Sequence, residues 1–384
     1  MKIILLKIAH IIKGLSIILF LLLLIIPSKL IIGYKRIWLV SERPNEARDN
    51  GYVFYRYLVN AHPEINVYYL ISKNSPDLAK IKQTGGKYIL YGSFKHWFYF
   101  AGCKYSISST VECLAPNSYL LLFQNRVGLP HKNIFLQHGV IDTNMDFLYR
   151  KYNNINLFIC GAKLEYDDVL LNYGYGDGTA YTGLARFDNY FDLKLKNQIL
   201  VMPTWRRGAD DIDIKESDYF KYWTSFLNNK ALFKLLERSG VRLYFYIHPV
   251  FQKYINYFKS NSEYVFIADF AHFDVQKLLM ESKLLITDYS SVLFDFAFMK
   301  KPTLYYQFDR DSYYKNHYKK GYFSYDKDAF GHVCLNEKDL INKIEDSITN
   351  DFAFPKEFIK NFERFFVLHD ANNCKRIYEA IKNL

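Results

Sequence analysis

The chain has 384 residues, half of them hydrophobic and 23% charged, which excludes wholesale disorder. Its 18 glycines and 10 prolines are too few for a collagen-like or linker-rich protein. The net charge is +11, and six of the positive charges (Lys2, Lys7, Lys13, Lys29, Lys35, Arg36) fall in the first 36 residues. The +5 left over fits anionic partners but not the dense basic stripe of a nucleic-acid binder. Five scattered cysteines (Cys103, Cys113, Cys160, Cys334, Cys374) form no C-x-x-C pair, so neither a zinc site nor a disulfide framework is expected, and a reducing, cytosolic setting is. The length suggests two domains at about 100–200 residues each.

Residues 3–32 are nearly all apolar, and the densest stretch, 15–26, is expected to end at Pro27. Twelve helical residues span about 18 Å, short of the roughly 30 Å of a bilayer core. Three readings stand: a signal peptide, for which no small-x-small cleavage site follows; a spanning helix, which must take Lys7 or Lys13 into the bilayer; and a monotopic anchor with the lysines at headgroup level.

From residue 36 the pattern alternates. Strands are expected at 36–41, 66–72, 88–91, 105–109, 134–137 and 157–160, with helices at 51–62, 76–84 and 93–101. A second series has strands at 199–202, 242–247, 264–267, 284–287 and 303–306, with helices at 217–228, 230–239, 275–281 and 291–299. The join is the polar stretch 187–198. Strands alternating with helices imply parallel, doubly wound sheets. The expected fold is α/β of the GT-B type: two Rossmann-like domains facing a cleft, with an N-terminal apolar membrane-anchoring helix. The expected divisions are an anchor at 1–36, an N-terminal Rossmann-like domain at 37–190, a C-terminal Rossmann-like domain at 191–350, and C-terminal helices at 351–384 packing back toward the N-terminal domain.

Open α/β sheets bind ligands beyond the carboxyl ends of their strands, and the unusual polar residues sit there. His138 follows an expected strand and precedes Gly139, which suits an accessible base near neutral pH; a hydrogen-bonded loop histidine is the plainer reading. His248 follows another strand and precedes Pro249, with the same two readings. Arg206 and Arg207 are candidates for bidentate phosphate contacts, although Arg207 reads better as a solvated surface residue. Asp288, Ser290 and Ser291 stand where a buried strand runs into a helix. Serines there cap backbone N–H groups, and the same geometry binds phosphate. Asp295 lies one turn further on, at i, i+4 from Ser291.

The runs QHG at 137–139, TGLARFD at 182–188, PTWR at 203–206, IHP at 247–249 and TDYSSVLFD at 287–295, with LHDANNCKRI at 368–377, together resemble the CDP-glycerol glycerophosphotransferase family of teichoic acid and capsule primases and polymerases. The resemblance runs from about residue 37 to the C-terminus, departing at Gln137 and Ala185. It implies His138 as the catalytic base, His248 as the second essential histidine, and a substrate-binding set of Gly139, Arg186, Pro203, Thr204, Arg206, Tyr246, Ile247, Asp288, Ser290, Ser291 and Asp295. The resemblance also implies acceptor handling in 37–190 and a CDP-linked donor held mainly by 191–350, where Pro203 and Thr204 would meet the nucleotide, Ser290 and Ser291 the diphosphate, and Asp295 the glycerol hydroxyls. The implied partners are a CDP-glycerol donor, a lipid-linked anionic polymer or glycan acceptor and the cytoplasmic face of the cell membrane. No cofactor, protein-built metal site or nucleic acid is expected. Three alternatives carry their own discriminators. A CDP-ribitol ribitolphosphotransferase differs in product mass. A GT-B glycosyltransferase releases a different nucleotide from a nucleotide sugar. A non-catalytic scaffold would have lost His138 or His248.

Overall fold

The computed structural model describes residues 2–111, 114–120, 131–209, 211–316 and 319–384, so Cys113 lies outside the described residues. The chain divides into two α/β units. The first holds Met1–His138, Asp146–Asp188 and Asp370–Leu384; the second holds Gly139–Met145 and Asn189–His369. The expected consecutive domains are therefore interleaved. Residues 139–145 join the second unit, where Thr143–Asn144 pairs antiparallel with Lys319–Lys320, and of the C-terminal stretch only 370–384 returns to the first.

The first unit is built on seven parallel strands in the order Lys87–Leu90, Val67–Ile71, Trp38–Ser41, Tyr105–Ser108, Lys132–Phe135, Leu157–Cys160, Thr179–Tyr181. Central strands such as Trp38–Ser41 and Leu157–Cys160 are buried along their whole length, which is why they read as unbroken apolar runs and not as alternating ones. One face of the sheet packs Trp38, Val40, Tyr69 and Ile107 against the helices Asn50–Ala61 and Asn373–Lys382. The other face packs Leu39 and Leu70 against the helix Phe94–Gly102 and the N-terminal helix.

That N-terminal helix runs from Lys2 to Ile32, straight through Pro27, where the sequence suggested an end. Only one N–H is lost at a proline, and the packing of the following turn holds the helix together. Thirty-one residues span about 46 Å. One side is seated on the first unit: Leu21, Leu24, Ser28 and Ile32 are buried beside Phe100, Ala101 and Cys103. Gly102 lets Ile32 approach, since a Cβ there would come within 2.9 Å of it. Phe20 meets Trp97 edge-on at 5.2 Å. The other side leaves Leu23, Ile26 and Leu30 exposed, the last at 77%. Residues 11–32 are long and apolar enough to cross a membrane by length and composition. The segment is thus part of the first unit's core as well as an apolar surface, and cutting the chain at residue 36 would strip the cover from Phe100 and Ala101.

The second unit repeats the scheme with six parallel strands in the order Val265–Ile267, Arg242–Phe245, Gln198–Val201, Leu284–Thr287, Thr303–Tyr306, Gly331–Cys334. Trp223, Phe226, Leu236 and Leu243 fill one side of it. The edge strand Gly331–Cys334 was not anticipated. Its glycine is required, because a Cβ there would sit 1.7 Å from the Thr303 carbonyl oxygen. In both sheets the strand order reverses beside the first strand of the series. That places the loop after Trp38–Ser41 at one switch point, and the loops 202–207 and 288–291 at the other.

Candidate active site

In the first unit His138 follows the strand Lys132–Phe135 and is exposed, with 65% of its side chain open to solvent. Its Nδ1 is 2.5 Å from Asp49 Oδ2. The other Asp49 oxygen accepts from Arg186 Nη1 at 2.7 Å, and that same nitrogen donates to the His138 carbonyl. The aspartate charge beside the ring raises the His138 pKa above its ordinary value. Burial alone would raise the Asp49 carboxyl, but His138 and Arg186 outweigh it and hold the group below its usual range. An imidazole fixed at Nδ1 by a carboxylate keeps Nε2 directed outward, the arrangement of a general base.

The backbone around this pair is tightly determined. Gln137 adopts φ +64°, a conformation uncommon outside glycine. It is held there by Nε2 donating to the Ile159 carbonyl at 2.6 Å and to Glu165 at 3.0 Å, and by Asn50 Nδ2 donating to its own carbonyl at 2.8 Å. Asn50 Oδ1 also accepts from the Arg186 backbone N–H. Asp49 ends a loop cradled by Glu42, whose carboxyl accepts from the N–H groups of Arg48, Asp49 and Tyr52. Burial and the Asp49 charge push Glu42 up to about 7. The sequence did not single out Asp49, Asn50 or Glu42. The one available signal for Asp49 was its place just before an expected helix. Arg186 is brought to the site, but as a buried partner of Asp49.

In the second unit the expected residues separate into two groups. Asp288 is fully buried and accepts from the N–H groups of Thr204 (2.8 Å) and Tyr289 (2.7 Å). Arg206 donates Nη2 to Asp288 at 2.8 Å, Nε to Asp309 at 2.6 Å and Nη1 to the Thr204 carbonyl at 2.7 Å. Its fork is spent on the protein, so the phosphate contact expected of it is replaced by a structural clamp between the loops 202–207 and 288–291. Burial opposes the Arg206 charge, but the two aspartates outweigh it and keep it protonated. Tyr246 and Ile247 lie with their side chains in the core, as Pro203 does in its loop. Asp295 is 1% exposed and accepts from Tyr190 at 2.6 Å, so it braces the base of the site and does not face out of it.

His248, Ser290, Ser291 and, in the inserted segment, Gly139 are half-buried, and Arg207 is exposed. His248 caps the turn Pro249–Tyr257 by accepting from Val250 N–H at Nδ1, 3.2 Å, which leaves Nε2 to donate in the neutral ring. Ser291 has helical backbone angles and makes no capping bond to the helix Val292–Phe298, so the plain capping role is not the one it plays. The Thr204 hydroxyl is buried without a hydrogen-bond partner at the same switch point.

Two Rossmann-like units, each with its strand order reversing beside the first strand of its series, have the architecture of the GT-B fold class. The family model for CDP-Glycerol:Poly(glycerophosphate) glycerophosphotransferase matches residues 22–383. The chain belongs to this family, a family of transferases. The minor teichoic acid biosynthesis protein GgaB of Bacillus subtilis (strain 168) is 32% identical over 372 residues, covering 92% of this chain and 40% of that protein. The teichoic acid poly(glycerol phosphate) polymerase of the same strain is 24% identical over 366 residues, 86% of this chain and 46% of the other. The chain thus spans less than half the length of these relatives. Among solved structures, the wall teichoic acid polymerase TagF superposes with a TM-score of 0.68 at 17% identity, over 91% of this chain and 89% of that one. A structure of TagF soaked with CDPG gives 0.67 at 16% identity, over 97% and 98%. The expected GT-B fold and family are those found.

Proposed function

We propose that the chain transfers glycerol phosphate from CDP-glycerol to a hydroxyl of a lipid-linked acceptor in teichoic acid synthesis, releasing CMP. The observation that carries this is the exposed His138 held by Asp49 and Arg186 in a chain of this family. Nε2 of His138 takes the acceptor hydroxyl's proton as its oxygen bonds to the β-phosphorus. The bond from that phosphorus to the CMP oxygen breaks, and CMP leaves with the electron pair. His248 and the Ser290 and Ser291 hydroxyls supply donors to the phosphoryl and leaving oxygens. Purified full-length protein offered CDP-glycerol, CDP-ribitol and UDP-sugars with a soluble polyol acceptor is expected to release CMP from CDP-glycerol, with product gaining one glycerol phosphate. Release of UDP, or a ribitol phosphate mass increment alone, overturns this reading.

A lipid-linked acceptor joined to a cytosolic nucleotide donor would put the reaction at the inner face of the cell membrane. The N-terminal helix supports an in-plane attachment. A spanning pose would draw the helix Phe94–Gly102, packed alongside it with Lys95 and His96, into hydrocarbon. In the plane, Leu23, Ile26 and Leu30 enter the leaflet while Leu21 and Leu24 stay on the protein. Substituting all three outward residues with glutamate is expected to reduce co-sedimentation with phosphatidylglycerol vesicles at least about 10-fold, with an unchanged melting curve. Undiminished sedimentation places the attachment elsewhere.

A further inference from the structure

At the end of the first sheet opposite His138, where the strands Trp38–Ser41, Val67–Ile71 and Tyr105–Ser108 begin, lies a concavity of about 460 Å³. Lys35, Arg36, Lys104 and Lys382 line it. The one carboxylate in the lining is Glu64, which is hydrogen-bonded to His62 at 3.1 Å and also lies in the field of Lys382. Among the described residues, Arg36, Lys104 and Lys382 form no ion pair. Lys104 and Lys382 instead stand over aromatic rings, 4.5 Å from Tyr105 and 5.2 Å from Tyr378. Those rings and Trp38 form an apolar wall, with Trp38 edge-on to Tyr105 at 4.9 Å. The Tyr105 hydroxyl is buried and has no hydrogen-bond partner.

Three cations with no carboxylate within ion-pair distance, an orphaned hydroxyl donor and an aromatic wall lining one concavity are the features of a site for an anionic, partly apolar ligand. We propose that this concavity binds the phosphodiester backbone of a polyol-phosphate polymer. The cations would hold successive phosphates and the rings the carbon chain between them. The proposal rests on the transferase reading for the identity of the polymer, and it adds a holding site away from the chemistry. A four-residue strand separates the two ends of the sheet by about 13 Å, so a chain held here is not the hydroxyl being extended. A lipid headgroup is the other source of phosphodiester, but Trp38 and Tyr105 belong to the sheet face covered by Asn373–Lys382, whereas the apolar N-terminal helix covers the opposite face.

The test uses the full-length protein and a defined hexamer of glycerol phosphate. The triple variant Arg36→Gln, Lys104→Gln, Lys382→Gln is expected to bind the hexamer at least about 10-fold more weakly than wild type, with a shallower dependence on salt as fewer counterions are released. Tyr105→Phe, which keeps the ring, is expected to weaken binding several-fold at unchanged thermal stability. Turnover of CDP-glycerol onto a single-glycerol acceptor should match wild type in both variants. Equal hexamer affinity in wild type and triple variant overturns the proposal. So does a loss of phosphatidylglycerol vesicle binding with hexamer binding untouched, which would assign the cations to lipid. Hexamer binding is read without turnover, so a wild type that fails to cleave CDP-glycerol sinks the transferase reading separately.

Discussion

Replacing His138 with alanine should lower turnover of CDP-glycerol by about 10²–10⁴-fold, the usual worth of a positioned general base. The expectation comes from geometry. The ring is exposed, tied at Nδ1 to Asp49, and free to take a proton at Nε2. Because the ring is open to solvent, its loss removes little packing and the fold should be retained. Donor binding should also be retained, since the expected diphosphate ligands are Ser290 and Ser291. Steady-state CMP release with calorimetric titration of CDP-glycerol separates the two quantities. Near wild-type turnover in the variant would remove His138 from the mechanism.

The second large effect is on stability. Arg206→Ala should destabilise the second unit by about 3–5 kcal/mol, the cost of leaving a buried charge without its partner. Asp288 is fully buried and would keep only its two backbone donors, while Asp309 would lose both of its bonds to the guanidinium. Four aromatic rings, those of Tyr219, Tyr289, Phe308 and Tyr313, also lie within 6 Å of that cation and would lose it. Arg206→Lys should recover only part of this, because an ammonium cannot bridge two carboxylates with a planar fork. Urea unfolding measures it, and a loss below about 1 kcal/mol would show that the clamp is not holding the loops together.

These two residues also show how far the sequence could be read. His138 could be picked out by its place between a buried strand and a glycine, but a plain loop histidine reads the same way, and it was the resemblance of the surrounding run that singled it out. Arg206 was legible only as a cation at a strand end. Nothing local distinguishes an arginine that binds phosphate from one consumed by Asp309, 103 residues further on. Asp49 was invisible for the same reason, standing 89 residues before its histidine. Strands such as Leu284–Thr287 were plain because burial on both faces writes a continuous apolar run. The strands Thr179–Tyr181 and Gly331–Cys334 were not, since three or four residues with alanine, glycine and histidine carry no such run, and backbone pairing with a neighbour decides them. The interleaving of the two units also escaped a linear reading, because segments as short as 139–145 are assigned by what they pair with and not by composition. The N-terminal helix was recognised as apolar, but a hydropathy pattern does not reveal which of its sides a domain will cover.

The central claim is that His138 acts as a base whose proton affinity is set by Asp49, and the pH dependence of kcat/KM for wild type and Asp49→Asn tests it most directly. In wild type the aspartate charge raises the histidine pKa above 6.5, so the neutral, proton-accepting ring is populated only as pH climbs through that raised value, and the rate should rise with it. The stability this ion pair contributes runs the other way, being fully present below pH 6.5 and lost as pH rises through the folded-state value. Asparagine keeps a hydrogen-bonding oxygen but removes the charge. In Asp49→Asn, compared at a temperature where both proteins remain folded, the acid limb should therefore move to lower pH while the plateau rate falls. An acid limb that stays at the same pH in the variant would contradict the account.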